Sequence, residues 1–93
     1  MISYDEFKIL FDKLEFGTEI EIYFNNNINY MIVKEDKYLT YGKTIGKSII
    51  KYNSLDEIEL SKEWKNIKDI IINFSYSVID DKKELIRKYK IQL

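Results

Sequence analysis

The chain has 93 residues, 45% of them hydrophobic and 33% charged, with a formal net charge of −1. This length makes one domain over residues 1–93, since two cores would leave each half near the size at which folding alone becomes marginal. Cysteine and histidine are both absent, which excludes disulfides, thiol nucleophiles, zinc sites of the usual kind and the common acid/base of neutral pH.

No cofactor or metal is therefore expected, and the protein is read as a non-enzyme. No apolar run approaches the roughly 20 residues of a membrane span, and the opening Met1-Ile2-Ser3-Tyr4-Asp5-Glu6 has no basic stretch followed by an apolar one. A cytoplasmic location with no membrane association is the expectation. Charge is unevenly spread. From Lys82 onward, Lys82, Lys83, Arg87, Lys88 and Lys90 stand against Glu84, giving +4, so the first 81 residues carry −5.

The first element is a helix. Ser3 can cap its start and Glu6, three residues on, can reach back to the cap, while Ile2 and Phe7 are placed to clasp the entry. Phe7, Leu10, Phe11 and Leu14 recur at helical spacing as one apolar stripe, and Gly17 supplies the left-handed residue that ends a helix. A β-hairpin then runs from Glu19 to Val33. Ile20, Ile22 and Phe24 alternate with Glu19, Glu21 and Tyr23, giving an apolar and a wetter face, and two of Asn25, Asn26 and Asn27 turn the chain back. Which two is open, and the choice sets the register.

Lys34-Glu35-Asp36-Lys37 reads as a charged turn, Tyr38–Tyr41 as a third strand, Gly42 and Gly46 as the brackets of a flexible link, and Ser48–Tyr52 as a fourth strand. Ser54-Leu55-Asp56-Glu57 is a second capping-box pattern, opening a helix to about Asn66 with Leu60 and Trp64 on its apolar stripe. From Ile70 to Ile79, alternation and β-branched residues favour a strand, although helical spacing could run on through Ile71 and Phe74. Asp80-Asp81 can cap a last helix with Leu85, Ile86 and Tyr89 inward and Lys83, Arg87 and Lys90 outward. The resulting fold class is α+β: an antiparallel meander of four to five strands packed against the N-terminal helix and two further helices.

Four features invite a chemical reading. Gly42-Lys43-Thr44-Ile45-Gly46-Lys47-Ser48 resembles a phosphate-binding loop but has three residues between its glycines where four are needed, and a strand-like sequel, so it reads as a turn. Glu19/Glu21 and Asp80/Asp81 can be drawn as carboxylate pairs. Alternate strand positions and a helix cap account for them without chemistry. The cations Lys83, Arg87 and Lys90 could hold nucleic-acid phosphates, but the chain ahead of them is acidic, and a solvated helix face explains them more simply. Tyr23, Tyr38 and Tyr41 fall on or beside strands, where aromatic side chains serve as anchors for a protein partner.

Tyr4-Asp5-Glu6-Phe7 opening a helix, Phe16-Gly17-Thr18-Glu19-Ile20-Glu21-Ile22 entering a strand, an Asn-rich turn, Tyr30-Met31-Ile32, Ser54-Leu55-Asp56-Glu57-Ile58 and Glu63-Trp64 form an ordered pattern over the first two thirds of the chain. It resembles a group of small proteins of low-GC Gram-positive bacteria and their phages and mobile elements, for which no activity is assigned. The resemblance implies an α+β fold and a life on a mobile element. The expected function is binding to another protein, as a regulator or inhibitor, through Tyr23, Tyr38 and Tyr41. Self-association through a sheet edge is a variant of this, and nucleic-acid binding by Lys83, Arg87 and Lys90 is the alternative.

Overall fold

The computed structural model describes residues 2–44 and 49–73. Within them the chain runs α1 (Tyr4–Lys13), β1 (Glu19–Phe24), β2 (Asn29–Lys34), β3 (Leu39–Lys43), β4 (Ile50–Tyr52), a 3₁₀ turn (Leu55–Ile58), the short α2 (Leu60–Glu63), a second 3₁₀ turn (Trp64–Asn66) and β5 (Ile67–Asn73). The five strands form one antiparallel sheet in the order β4-β3-β2-β1-β5. The fold is α+β. The first four strands meander, and β5 returns to pair with β1 on the far side. The expected last helix, with Lys83, Arg87 and Lys90, lies outside the described residues.

α1 begins as its sequence requires. The Ser3 hydroxyl accepts from the Glu6 N–H at 3.1 Å and the Glu6 carboxylate accepts from the Ser3 N–H at 3.2 Å, so two otherwise orphaned donors are satisfied reciprocally. The helix stops at Lys13, ahead of Gly17. That glycine, at φ +86°, takes the third position of a turn closed by the Thr18 N–H on the Glu15 carbonyl, so its left-handed backbone serves the α1–β1 connection and not the helix cap.

The three asparagines are all used. Asn25 and Asn26 form the centre of the turn. Asn27 follows in the left-handed region at φ 66°, and the Phe24 N–H donates to the Ile28 carbonyl at 3.0 Å. A turn followed by a left-handed residue is a three-residue hairpin loop. It fixes the register Ile20↔Ile32 and Ile22↔Tyr30.

Because side chains alternate across a strand, this register decides what each face carries. Ile20, Ile22, Phe24, Ile32, Leu39, Ile70 and Ile72 point to one side and are buried with Phe7, Leu10 and Phe11 of α1 and with Leu14 at its C-cap. Lys34 has the same parity, which carries it under the end of α1. The opposite face carries Glu19, Glu21 and Tyr23 of β1 beside Met31 and Val33 of β2.

Four expectations change. The helix expected from Ser54 to Asn66 is broken at Glu59, which sits in the left-handed region (φ 54°, ψ 32°) and divides the segment into 3₁₀ and α pieces. The second capping box does not form: Ser54 makes no side-chain cap bond, and Glu57 accepts from the Asn53 N–H at 2.7 Å. Gly42, expected in a flexible link, is a buried member of β3 opposite Met31. The strand expected from Ile70 starts three residues earlier, at Ile67, with a register shift against Tyr23 and Phe24; residues 74–79 of that expectation lie outside the described residues.

Candidate functional site

Of the three tyrosines expected to anchor a partner, two stand beside β4, on opposite faces of the sheet. Tyr41 pairs across β3–β4 with Ile50 on the α1 side of the sheet, and its ring stacks on Tyr30 with centroids 4.9 Å apart and planes at 17°. Tyr30 in turn meets the edge of Phe24 at 5.4 Å. Burial pushes the Tyr41 hydroxyl well above the ordinary tyrosine value, and Tyr30, Tyr52 and Glu63 add to the shift.

Tyr38 stands at the start of β3, half-buried, with the Lys51 ammonium 4.0 Å over its ring, an attractive geometry for a cation on an aromatic face. Tyr23 is elsewhere. It lies on β1, three strands inward from β4, and its hydroxyl donates to Glu21 at 3.2 Å. Desolvation together with that carboxylate raises its pKa above 10.0. Lys83, Arg87, Lys90 and the Asp80/Asp81 pair lie outside the described residues.

An open groove of about 370 Å³ runs between α1, the β2–β3 turn and the residues before the first 3₁₀ turn, over a floor that includes Phe11, Leu39 and Leu55. Three of its charged side chains, Lys8, Lys34 and Asp56, are already engaged with the protein. Lys8 bridges to Asp56 at 3.3 Å, and the Tyr4 hydroxyl donates to the same carboxylate at 3.4 Å. Lys34 turns inward. Its ammonium donates to the carbonyls of Phe11 at 2.7 Å, Asp12 at 3.2 Å and Leu14 at 2.7 Å, where the helix has run out of N–H partners, and lies 5.1 Å from the centre of the Phe11 ring. Burial pushes its pKa below the usual 10.5, with Asp12 opposing the shift. This is a structural clasp between β2 and α1.

The free edge of β4 differs in kind. Ile49 and Ile50 are adjacent, and 66% and 54% of their surfaces are exposed. β4 pairs with β3 through Leu39↔Tyr52, Thr40↔Lys51 and Tyr41↔Ile50, and its other side has no strand partner among the described residues. Alternation puts Ile50 and Tyr52 on the α1 side and Lys51 on the other, beside Tyr38. Among the described residues the edge thus offers the outward backbone groups of Lys51, two aliphatic side chains, one cation and two neighbouring tyrosines.

The sequence carried a signal for this edge. Between Lys37 and Leu55 stand four lysines, Lys37, Lys43, Lys47 and Lys51, and no carboxylate, in a chain whose net charge is −1. The contrast between acidic body and basic tail obscures this run, because its lysines are spread over two strands and their connection.

Among the described residues no group of histidine, cysteine, aspartate and glutamate is arranged to hold a metal ion, and no helix is long and apolar enough to cross a membrane. Comparison with protein-family models, with curated proteins and with solved structures gives no match.

Proposed function

We propose that the protein is a small non-enzymatic protein-binding module, a regulator or inhibitor of the kind carried by phages and other mobile elements and acting in the cytoplasm, and that it engages its partner along β4. The observation that carries this reading is the pair Ile49 and Ile50, mostly exposed and side by side where the chain enters β4, one of the two edge strands of the sheet. An edge strand with unpaired N–H and C=O groups is a template for an added strand, and proteins ordinarily protect such edges. A partner that pairs there gains main-chain hydrogen bonds and covers both isoleucines. Tyr41 and Tyr38, neighbours of β4 on its two faces, are the aromatic contacts such a partner meets. Tyr23 is too far inside the sheet to touch the same strand.

The test is affinity capture from the source cells with the parent chain and with Ile50→Lys, whose side chain is exposed and whose substitution leaves the core intact. A partner recovered by the parent and lost with Ile50→Lys is expected, with unchanged thermal unfolding of the variant. A partner held equally by both, or lost with Tyr23→Ser instead, removes the edge from the account.

A further inference from the structure

We infer that the strand accepted by β4 is acidic, an extended segment in which carboxylates alternate with aliphatic residues. The inference rests on the reading of β4 as the binding edge and specifies the chemistry of what binds there. A strand laid beside Ile50-Lys51-Tyr52 meets Ile50 and Tyr52 on the α1 side and Lys51 on the other, because successive side chains point to opposite faces.

Lys51 is exposed and its ammonium rests over the Tyr38 ring with no carboxylate partner among the described residues. Cross-strand neighbours of opposite charge attract, and like charges repel. The residue facing Lys51 is therefore a carboxylate and the one facing Ile50 an aliphatic side chain. The wider field agrees. Lys43 is exposed at the end of β3, and the stretch from Lys37 to Leu55 holds no acidic residue. Glu57 reaches the edge only at Asn53, from whose N–H it accepts at 2.7 Å, so the carboxylate of the added strand belongs opposite Lys51 and not beyond Tyr52. The exposed isoleucines distinguish a peptide from a nucleic acid, since an aliphatic side chain offers a base no face on which to stack.

The test uses the full-length ¹⁵N-labelled protein and two synthetic peptides, one alternating valine with glutamate and one alternating valine with lysine. The Val-Glu peptide is expected to shift the amides of Ile49–Tyr52 and Tyr38 and to bind about fivefold more tightly than the Val-Lys peptide. Lys51→Glu is expected to reverse that order. Equal affinities, a preference for Val-Lys, shifts confined to other strands or no binding of either peptide would overturn the inference.

So would a single-stranded oligonucleotide that produces the same shifts more tightly than Val-Glu. A dimer in light scattering that dissociates on Ile50→Lys would overturn it too, because a second copy would then be the occupant. The two levels separate cleanly. Loss of the captured partner in Ile50→Lys with no preference between the peptides keeps the edge and rejects the acidic strand, whereas partner retention in Ile50→Lys rejects the edge itself.

Discussion

Replacing Lys34 with methionine removes the clasp between β2 and the end of α1 while keeping most of the aliphatic stem over Phe11. Its ammonium donates to three helix-terminal carbonyls, two of them at 2.7 Å. Hydrogen bonds to a charged group are each worth about 1.5–3 kcal/mol in net terms, so a simple sum would reach about 4–9 kcal/mol. That sum is too large. The same burial that brings the ammonium to the carbonyls strips it of water, which is why its pKa falls below 10.5, and the desolvation offsets most of the gain. Water can also reach the carbonyls once the ammonium is gone, because Asp12 and its surroundings are exposed.

The expected loss for Lys34→Met is about 2 kcal/mol, or on the order of 10 °C in Tm for a domain of this size. Lys34→Arg, which retains a donor cluster, should lose less than half as much. Urea unfolding followed by far-UV circular dichroism gives both values, with an unchanged m-value showing that the surface exposed on unfolding is the same. A Lys34→Met variant within 0.5 kcal/mol of the parent, or an arginine variant as weak as the methionine one, would refute the clasp.

Glu59 occupies the left-handed region, which costs a residue with a side chain roughly 1–2 kcal/mol. Glu59→Gly should raise stability by about 0.5–1 kcal/mol in the same urea assay, since the exposed Glu59–Lys62 pair that it removes contributes little. Leu10 is fully buried beneath the sheet, and Leu10→Ala should cost about 3 kcal/mol through lost burial and the cavity left behind.

The raised pKa of Tyr41 means the folded state keeps a proton that the unfolded chain releases near pH 10.0. Stability from this group is complete below pH 10 and falls as pH rises toward the folded value, by up to about 1.4 kcal/mol per pH unit. Tyr41→Phe should flatten that alkaline decline, leaving the smaller parts due to Tyr4 and Tyr23, whose pKa values are also raised. Parallel stability curves above pH 10 would show that Tyr41 ionises as freely when folded.

Local rules were readable wherever one residue pattern had one physical solution. Ser3 with Glu6, the stripe Phe7–Leu14 and the alternation Ile20–Phe24 each led to the element found. The hairpin's register was not readable, because three consecutive asparagines all tolerate the turn and only Asn27 at positive φ resolves the choice. The break at Glu59 was hidden for a related reason. Ser54 and Glu57 satisfy a capping pattern locally, yet Glu57 accepts from the Asn53 N–H instead and the segment leads into the pairing of Ile67 with Phe24, a contact of long sequence separation.

The pairing of β5 with β1 is of the same non-local kind. For the candidate site, alternation alone separates Tyr38 from Tyr41, three residues apart in an extended segment and hence on opposite faces. The run of lysines without carboxylates marked the β3–β4 corner. That Ile49 and Ile50 stand open was not legible, because adjacent isoleucines in a sequence read equally well as a buried strand.

Amide hydrogen exchange on the full chain, free and bound to the partner recovered by capture, tests the edge most directly. Pairing of a partner strand with β4 predicts strong slowing at Lys51, whose N–H points away from β3, little change at Glu19–Tyr23, and loss of the effect in Ile50→Lys. Protection that appears instead on Glu19–Tyr23, with Ile50–Tyr52 exchanging as in the free protein, would contradict the account.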